Sequence, residues 1–262
     1  MSILARVEND GGFKLKEEFS EVPDALEFDG ESDYVDIPHH DDYGDMTEFT
    51  LEMWVKAPHQ EYMEFFSKYD TLDGDSRSFR FYNQNYNNNL RFLGSSDGEN
   101  WDSTDITSTE LPDDEWCHIA MTFDKGTCRG YINGEHVGTS SVNFDTVYNN
   151  SGVNLWMGQS HYMDRYLDGK IRDARIWNTV RSEEEIVDNM DKSLSGDEGN
   201  LVGYWLMNEG SGSTVYDEST SSNDGTIHGA NWVYSRDSKS KLWLSRPGNL
   251  NIRGELIEGV SF

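Results

Sequence analysis

Apolar and polar residues alternate along most of this chain with a period of two, the spacing of a strand that buries one face. The clearest stretch is residues 111–138, LPDDEWCHIAMTFDKGTCRGYINGEHVG. With Lys125 and Gly126 as turn residues, Asp124 falls opposite Thr127, and the pairs run back through Phe123/Cys128, Met121/Gly130 and Ile119/Ile132. Those residues share an apolar face. His118, Ala120 and Thr122, opposite Arg129, Tyr131 and Asn133, make a more polar face suited to water or a ligand. Asn133-Gly134 then supplies a pair that tolerates positive φ in a second tight turn.

The same reading extends to both sides. In EFTLEMWVKAP, Phe49, Leu51, Met53 and Val55 alternate with polar residues until Pro58, which predicts a half-buried strand. ALEFDGESDYVDIP predicts two strands about residues 30–32, and MEFFSK, RSFRFYNQ, NNLRFLG and VNLWMGQS predict four more. In YLDGKIRDARIWN the alternation fails between Ile171 and Ala174, which predicts a bulge near Arg172-Asp173. One segment reads as helix. Ser182 with Glu185 makes a capping box, Glu183 and Glu184 suit the positive helix N-terminus, and Ile186, Val187 and Met190 form a short apolar face.

The ends differ from the body. Residues 1–22 predict two short strands about Asn9-Asp10-Gly11-Gly12. Residues 11–21, GGFKLKEEFSE, align without gaps to residues 248–258, GNLNIRGELIE, a loose pattern open to either kinship or coincidence. The expected organisation is an N-terminal β arm over 1–22, one main domain over 23–235, and a linker with a C-terminal β arm over 236–262. A sandwich of about 200–250 residues folds as one domain, so 262 residues do not require two.

Composition sharpens this picture. Gly is abundant (24) and Pro scarce (5), with 13% aromatics, which suits short strands joined by glycine turns. The formal charge is −28, from 49 acidic against 21 basic residues. Such a field repels phosphate backbones and anionic lipid surfaces, so nucleic-acid partners are not expected. The acidity fits either a high-salt (halophilic) habitat or an ordinary acidic extracellular or viral protein with Ca²⁺ sites. No stretch approaches the roughly 18 apolar residues of a membrane span, so no membrane insertion is expected. The first residues lack an apolar leader core, so any route out of the cell is expected to avoid that signal. Cys117 and Cys128 lie too far apart along the hairpin for a disulfide and are expected as buried free thiols.

ALEFDGESDYVDI, FTLEMWVKA, the hairpin stretch, LDGKIRDARIWNTVRSEEEI and LVGYWLMNEGSGSTVYDESTSSNDGTIHGANWV follow one another in the order found in laminin-G-like domains. Over about residues 24–234 the chain resembles that branch of the concanavalin A-like lectin/glucanase fold. The resemblance implies an all-β, two-sheet antiparallel jelly-roll sandwich with one short helix, and a role in binding carbohydrate or protein, often with structural Ca²⁺. If the first strand pairs with the last of the jelly roll, as the resemblance suggests, Asp29 and Asp168 come together with Asp33 and Asp173 as helpers. Ca²⁺ takes six to eight oxygens from such turns.

Candidate ligand residues come from RSFRFYNQNYNNNLRFLGSSDGENWDS. Tyr82, Asn83, Tyr86, Arg91 and Trp101 offer the aromatic platform, amides and guanidinium that hold sugars, provided they share one open face. SSDGENW is similar to the Asp-box turn of sialidases but is one residue short, and reads as a turn at Asp97-Gly98 with Trp101 packing back on the sheet. His39-His40 lies in the acidic loop HHDDYGD, as a weak metal site or a solvated pair.

No strand carries the closely spaced carboxylates of the glucanases, and no G-x-S-x-G elbow is present, so no catalytic residues are expected. The expected function is a non-enzymatic module that binds a glycan or cell-surface polymer. The terminal segments look like those of small virion proteins of tailed viruses, which implies a tail or capsid-decorating protein, virion-borne or extracellular, joined to other subunits through its terminal strands. The alternatives are a glycan-processing enzyme or its accessory module, and an architectural spacer.

Overall fold

The computed structural model describes the backbone of residues 5–7 and 13–15, and residues 24–70, 76–84, 89–107, 109–160 and 165–235 in full. Strands β1 (Ala5–Val7) and β2 (Phe13–Leu15) pair antiparallel, as the N-terminal pattern predicts. The C-terminal arm, residues 236–262, lies outside the described residues.

The body opens with β3 (Ala25–Asp29), β4 (Tyr34–Ile37), β5 (Glu48–Lys56), β6 (Tyr62–Tyr69) and β7 (Arg77–Gln84). Next come β8 (Asn89–Gly94), β9 (Asp102–Asp105), β10 (Cys117–Asp124), β11 (Thr127–Ile132), β12 (Glu135–Ser141), β13 (Leu155–Met157) and β14 (Asp168–Trp177). Helix α1 (Glu183–Asn189) precedes β15 (Leu201–Trp205), β16 (Thr214–Val215), β17 (Gly225–His228) and β18 (Asn231–Val233). Among the described strands, one antiparallel sheet runs β12-β11-β10-β5-β14-β3-β18, with β15 added to β14. The second runs β16-β17-β4-β13-β6-β7-β8-β9.

The β10/β11 register is the one the sequence predicts, with Lys125 at φ 43° and Gly126 at φ 89° in the turn. Two successive residues at positive φ match the right-handed twist of the flanking strands. The bulge in β14 is also where the broken alternation places it: the register against β5 shifts between Arg172 and Arg175, and Asp173 sits at φ 54°. The strands on either side of residues 30–32 do not pair with each other. The Asp29 carboxylate accepts from the backbone N–H groups of Glu31, Ser32 and Asp33, and this turn carries the chain from the first sheet into the second.

The two sheets enclose one core. Phe49 of β5 stacks on Phe123 of β10 at 4.8 Å and meets Phe79 and Phe92 of the opposite sheet, each at 6.0 Å. Leu51, Met53, Ile119, Met121, Ile171 and Ile176 face Val35, Phe66, Phe81 and Met157 in the same fully buried cluster. Cys117 and Cys128 are buried within it as free thiols.

The polar face of the hairpin is corrected by the structure. His118, Ala120 and Thr122 are at most 1% exposed, because α1 lies over them and Ile186 packs on Ala120 and Tyr131. The Ser182–Glu185 capping box starts this helix as expected. Its other end has no basic residue of its own, and Arg175 supplies the charge, donating to the carbonyls of Asn189 (3.0 Å) and Lys192 (2.8 Å). Glu52, on the far face of β5, accepts from the Trp177 indole N–H at 2.9 Å. The outer face of the first sheet is therefore a second buried layer, and β5 is covered on both sides rather than half-buried. An open face is left to the second sheet.

Candidate functional site

Alternation in β7 decides what that open face presents. Phe79 and Phe81 point into the core, so Arg80, Tyr82 and Gln84 lie on the opposite face, where Arg80 and Tyr82 are buried in the groove floor and Gln84 is half-buried. Across the ladder Arg91 and Leu93 of β8 stand opposite Tyr82 and Arg80, and Asp105 and Ser103 of β9 stand opposite Arg91 and Leu93. Apart from Asp105, these side chains, with Tyr69, Arg77, Trp101 and Arg165, line a groove of about 540 Å³. That lies within the roughly 300–1,000 Å³ of small-ligand clefts.

Arg80 forms the floor. Its Nε and Nη2 donate to the two oxygens of Glu64 at 2.8 and 2.5 Å, and the pair is almost wholly withdrawn from solvent. Burial pushes the Glu64 carboxyl up, against the opposing pull of Arg80. The Arg80 guanidinium lies 4.3 Å from the Tyr82 ring and 5.3 Å from the Tyr69 ring. Tyr69 is fixed by a 2.5 Å hydrogen bond with Ser160 and by an edge-on contact with Trp101 at 5.3 Å. Burial pushes the Tyr69 and Tyr82 hydroxyls up, which keeps both neutral.

The rim is made by three more arginines. Arg91 ion-pairs with Asp105, donates to the Gln84 amide oxygen and lies 5.6 Å from the Tyr82 ring. Arg77 lies 5.8 Å from the Trp101 ring, and Arg165 lies 4.3 Å from the Tyr62 ring. Trp101 reaches the groove because Asp97 accepts from the backbone N–H groups of Glu99 and Asn100, closing the expected turn with Gly98 at φ 82°.

Three of the five expected ligand residues, Tyr82, Arg91 and Trp101, thus meet in one groove. Asn83 does not join them. It is fully buried between Met63 and Leu90 in the ladder, since neighbours along a strand point to opposite faces. Tyr86 lies outside the described residues. Arg80 was legible by the same parity as Tyr82. Arg165 comes from a loop some 60–80 residues further along, and no local pattern links it to this face.

A laminin-G-type family model, described as the concanavalin A-like lectin/glucanases superfamily, matches residues 29–187, more than half of the chain. The chain belongs to this superfamily. Solved structures with a similar fold include a Bacteroides ovatus protein named for carbohydrate binding, with a TM-score of 0.63 at 19% identity. That match covers 82% of this chain and 61% of the other, so the chain spans under two thirds of its length. Domain 4 of an extracellular arabinanase from Geobacillus stearothermophilus, solved with arabinotriose, gives 0.51 at 21% identity, over 73% of this chain and 82% of that one. A heptameric pentraxin from Limulus polyphemus gives 0.54 at 15%, over 83% and 98%. At these identities the likeness is one of fold. No curated protein matches the sequence.

Two chemistries associated with this superfamily can be tested on the geometry. Asp29 and Asp168 are cross-strand partners between β3 and β14, and Asp33 joins Asp29 reciprocally, the carboxylate of each accepting from the other's backbone N–H. Asp173 is elsewhere. The bulge turns it inward, where Arg175 binds both its oxygens at 2.7 and 2.9 Å. Asp29 already serves the turn, and among the described residues no three His, Cys, Asp or Glu side chains converge as metal ligands. The four expected acids therefore do not form one Ca²⁺ set. His39 and His40 are engaged too: His39 Nδ1 lies 3.0 Å from the buried Lys68 ammonium, and His40 Nδ1 accepts from the Asp42 N–H.

Glycoside hydrolysis needs two carboxyl groups about 5–10 Å apart flanking the bond. Among the described residues, the groove wall carries none. Glu64 lies beneath it, fully buried and held by Arg80, and Asp105 is held by Arg91.

Proposed function

We propose that this protein is a non-enzymatic carbohydrate-binding module whose ligand lies in the groove of β6–β9. The observation that carries this reading is the arrangement of Trp101 and Arg91 around one open cleft on a rigid sheet face, with Tyr82 buried in its floor. Sugar rings present apolar C–H faces and hydroxyl edges, and aromatic rings beside guanidinium forks complement both. The fold shared with a protein named for carbohydrate binding and with an arabinanase domain solved with arabinotriose supports the reading. The groove holds sugar without cleaving it, because the nearby carboxylates are committed to arginines.

The test is a glycan array probed with the native chain and with Trp101→Ala. Binding to a defined glycan that the variant loses supports the groove. Equal binding by the two proteins removes it.

We further propose that the module works within a larger assembly as a virion tail or capsid-decorating protein. Support comes from the sequence match between residues 11–21 and 248–258. Purified particles that lack the protein would count against this setting.

A further inference from the structure

The chain carries a formal charge of −28, yet its groove gathers four arginines. Two of them have carboxylate partners: Arg80 has Glu64 and Arg91 has Asp105. Four guanidinium groups against two carboxylates leave two, Arg77 and Arg165, and neither pairs with an acid among the described residues. Arg77 Nε is buried without a hydrogen-bond partner among those residues. A buried donor left in this way is unfavourable until an acceptor meets it.

We infer that the groove selects anionic glycans, sugars bearing a carboxylate or a sulfate, over neutral ones. This rests on the carbohydrate-binding reading above. Arg77 lies beside the Trp101 ring and Arg165 beside the Tyr62 ring. A guanidinium backed by an aromatic face keeps its N–H edge for a planar acceptor, and carboxylate and sulfate oxygens accept such forks two at a time.

The overall charge does not oppose this at the groove. At physiological ionic strength exposed charges are screened over about 8 Å, so the arginines set the local potential while distant acids fade. The same acids act against a long polyanion that must lie across the surface, so the sugar's isolated charges are favoured over a phosphate backbone.

The test measures affinity of the full chain for matched oligosaccharides at fixed salt. Short oligogalacturonides are set against their methyl esters, and short sulfated carrageenan oligosaccharides against neutral agarose oligosaccharides. A single-stranded oligonucleotide is the third arm. The expected result is binding at least about tenfold tighter to one charged member than to its neutral counterpart, with that ratio falling about tenfold in Arg77→Gln and in Arg165→Gln. The carboxylated and sulfated arms show which acid is read. Arg77→Lys, which keeps the charge but loses the planar fork, is expected to restore part of the preference.

Equal affinity for charged and neutral members overturns the inference, and so does a preference that survives both Gln variants. Either result leaves carbohydrate binding standing if Trp101→Ala abolishes it. Oligonucleotide binding that matches the best glycan and depends on the same arginines overturns the sugar assignment. Failure to bind any sugar, charged or neutral, overturns the underlying reading as well.

Discussion

Arg80 of β7 reaches diagonally to Glu64 of β6, which stands opposite Tyr82, in a bidentate pair of 2.8 and 2.5 Å almost wholly withdrawn from solvent beneath the groove. A buried pair of this kind adds little net stability over an apolar filling, but removing one partner strands the other charge. Its consequence here is positional. Glu64 binds the Arg80 guanidinium where it lies beside the Tyr69 and Tyr82 rings.

Glu64→Ala is therefore expected to destabilise the fold by about 3–5 kcal/mol, as Arg80 ion-pairs with no other acid among the described residues. Glu64→Gln, which keeps an acceptor and the side-chain shape, is expected to cost less. Urea unfolding of the three proteins measures the difference. A loss under about 1 kcal/mol in the alanine variant would show that the pair is not buried as described.

A second prediction concerns acid. Burial holds the His118 imidazole down to about 4 from its ordinary 6.5. The unfolded chain then binds more protons than the folded one between those values. Stability contributed by neutral His118 is full above pH 6.5 and is lost as pH falls through 4, by up to about 3 kcal/mol. Asp173, pushed up to about 6 by burial, acts in the opposite sense between its ordinary value and 6. The difference between native protein and His118→Gln isolates the histidine: urea midpoints measured from pH 7 to 4 are expected to converge on acidification. Parallel curves would refute the assignment.

The thiols give a third. Burial pushes both Cys117 and Cys128 up to about 12. Neither is expected to react with a disulfide reagent in the folded protein at pH 8, and both are expected to react once urea unfolds it. Fast labelling of either thiol in the native state would contradict their place in the core.

What the sequence made legible was mostly local. The β10/β11 register followed from the Lys125-Gly126 turn, the β14 bulge from the broken alternation at Arg172-Asp173, and α1 from the Ser182–Glu185 box. Tyr82, Arg91 and Trp101 share one groove because strand and turn chemistry point them to one side. Asn83 was misplaced because residue type was weighed ahead of strand parity. What could not be read was what covers a face. The polar side of β10 looked open until α1, from the far end of the jelly roll, closed over His118. Arg165 entered the groove from an equally distant loop. Asp173 matched a metal ligand by type, but the bulge that the sequence predicted turned it toward Arg175.

The central claim is that the open face of β6–β9 is where sugar binds, and a structure of the protein with its best-binding oligosaccharide tests it most directly. The account predicts a sugar ring against Tyr82 and Trp101, with its charged group within hydrogen-bond distance of Arg77 or Arg165. A ligand bound anywhere else, such as the β3–β14 edge at Asp29 and Asp168, would contradict it.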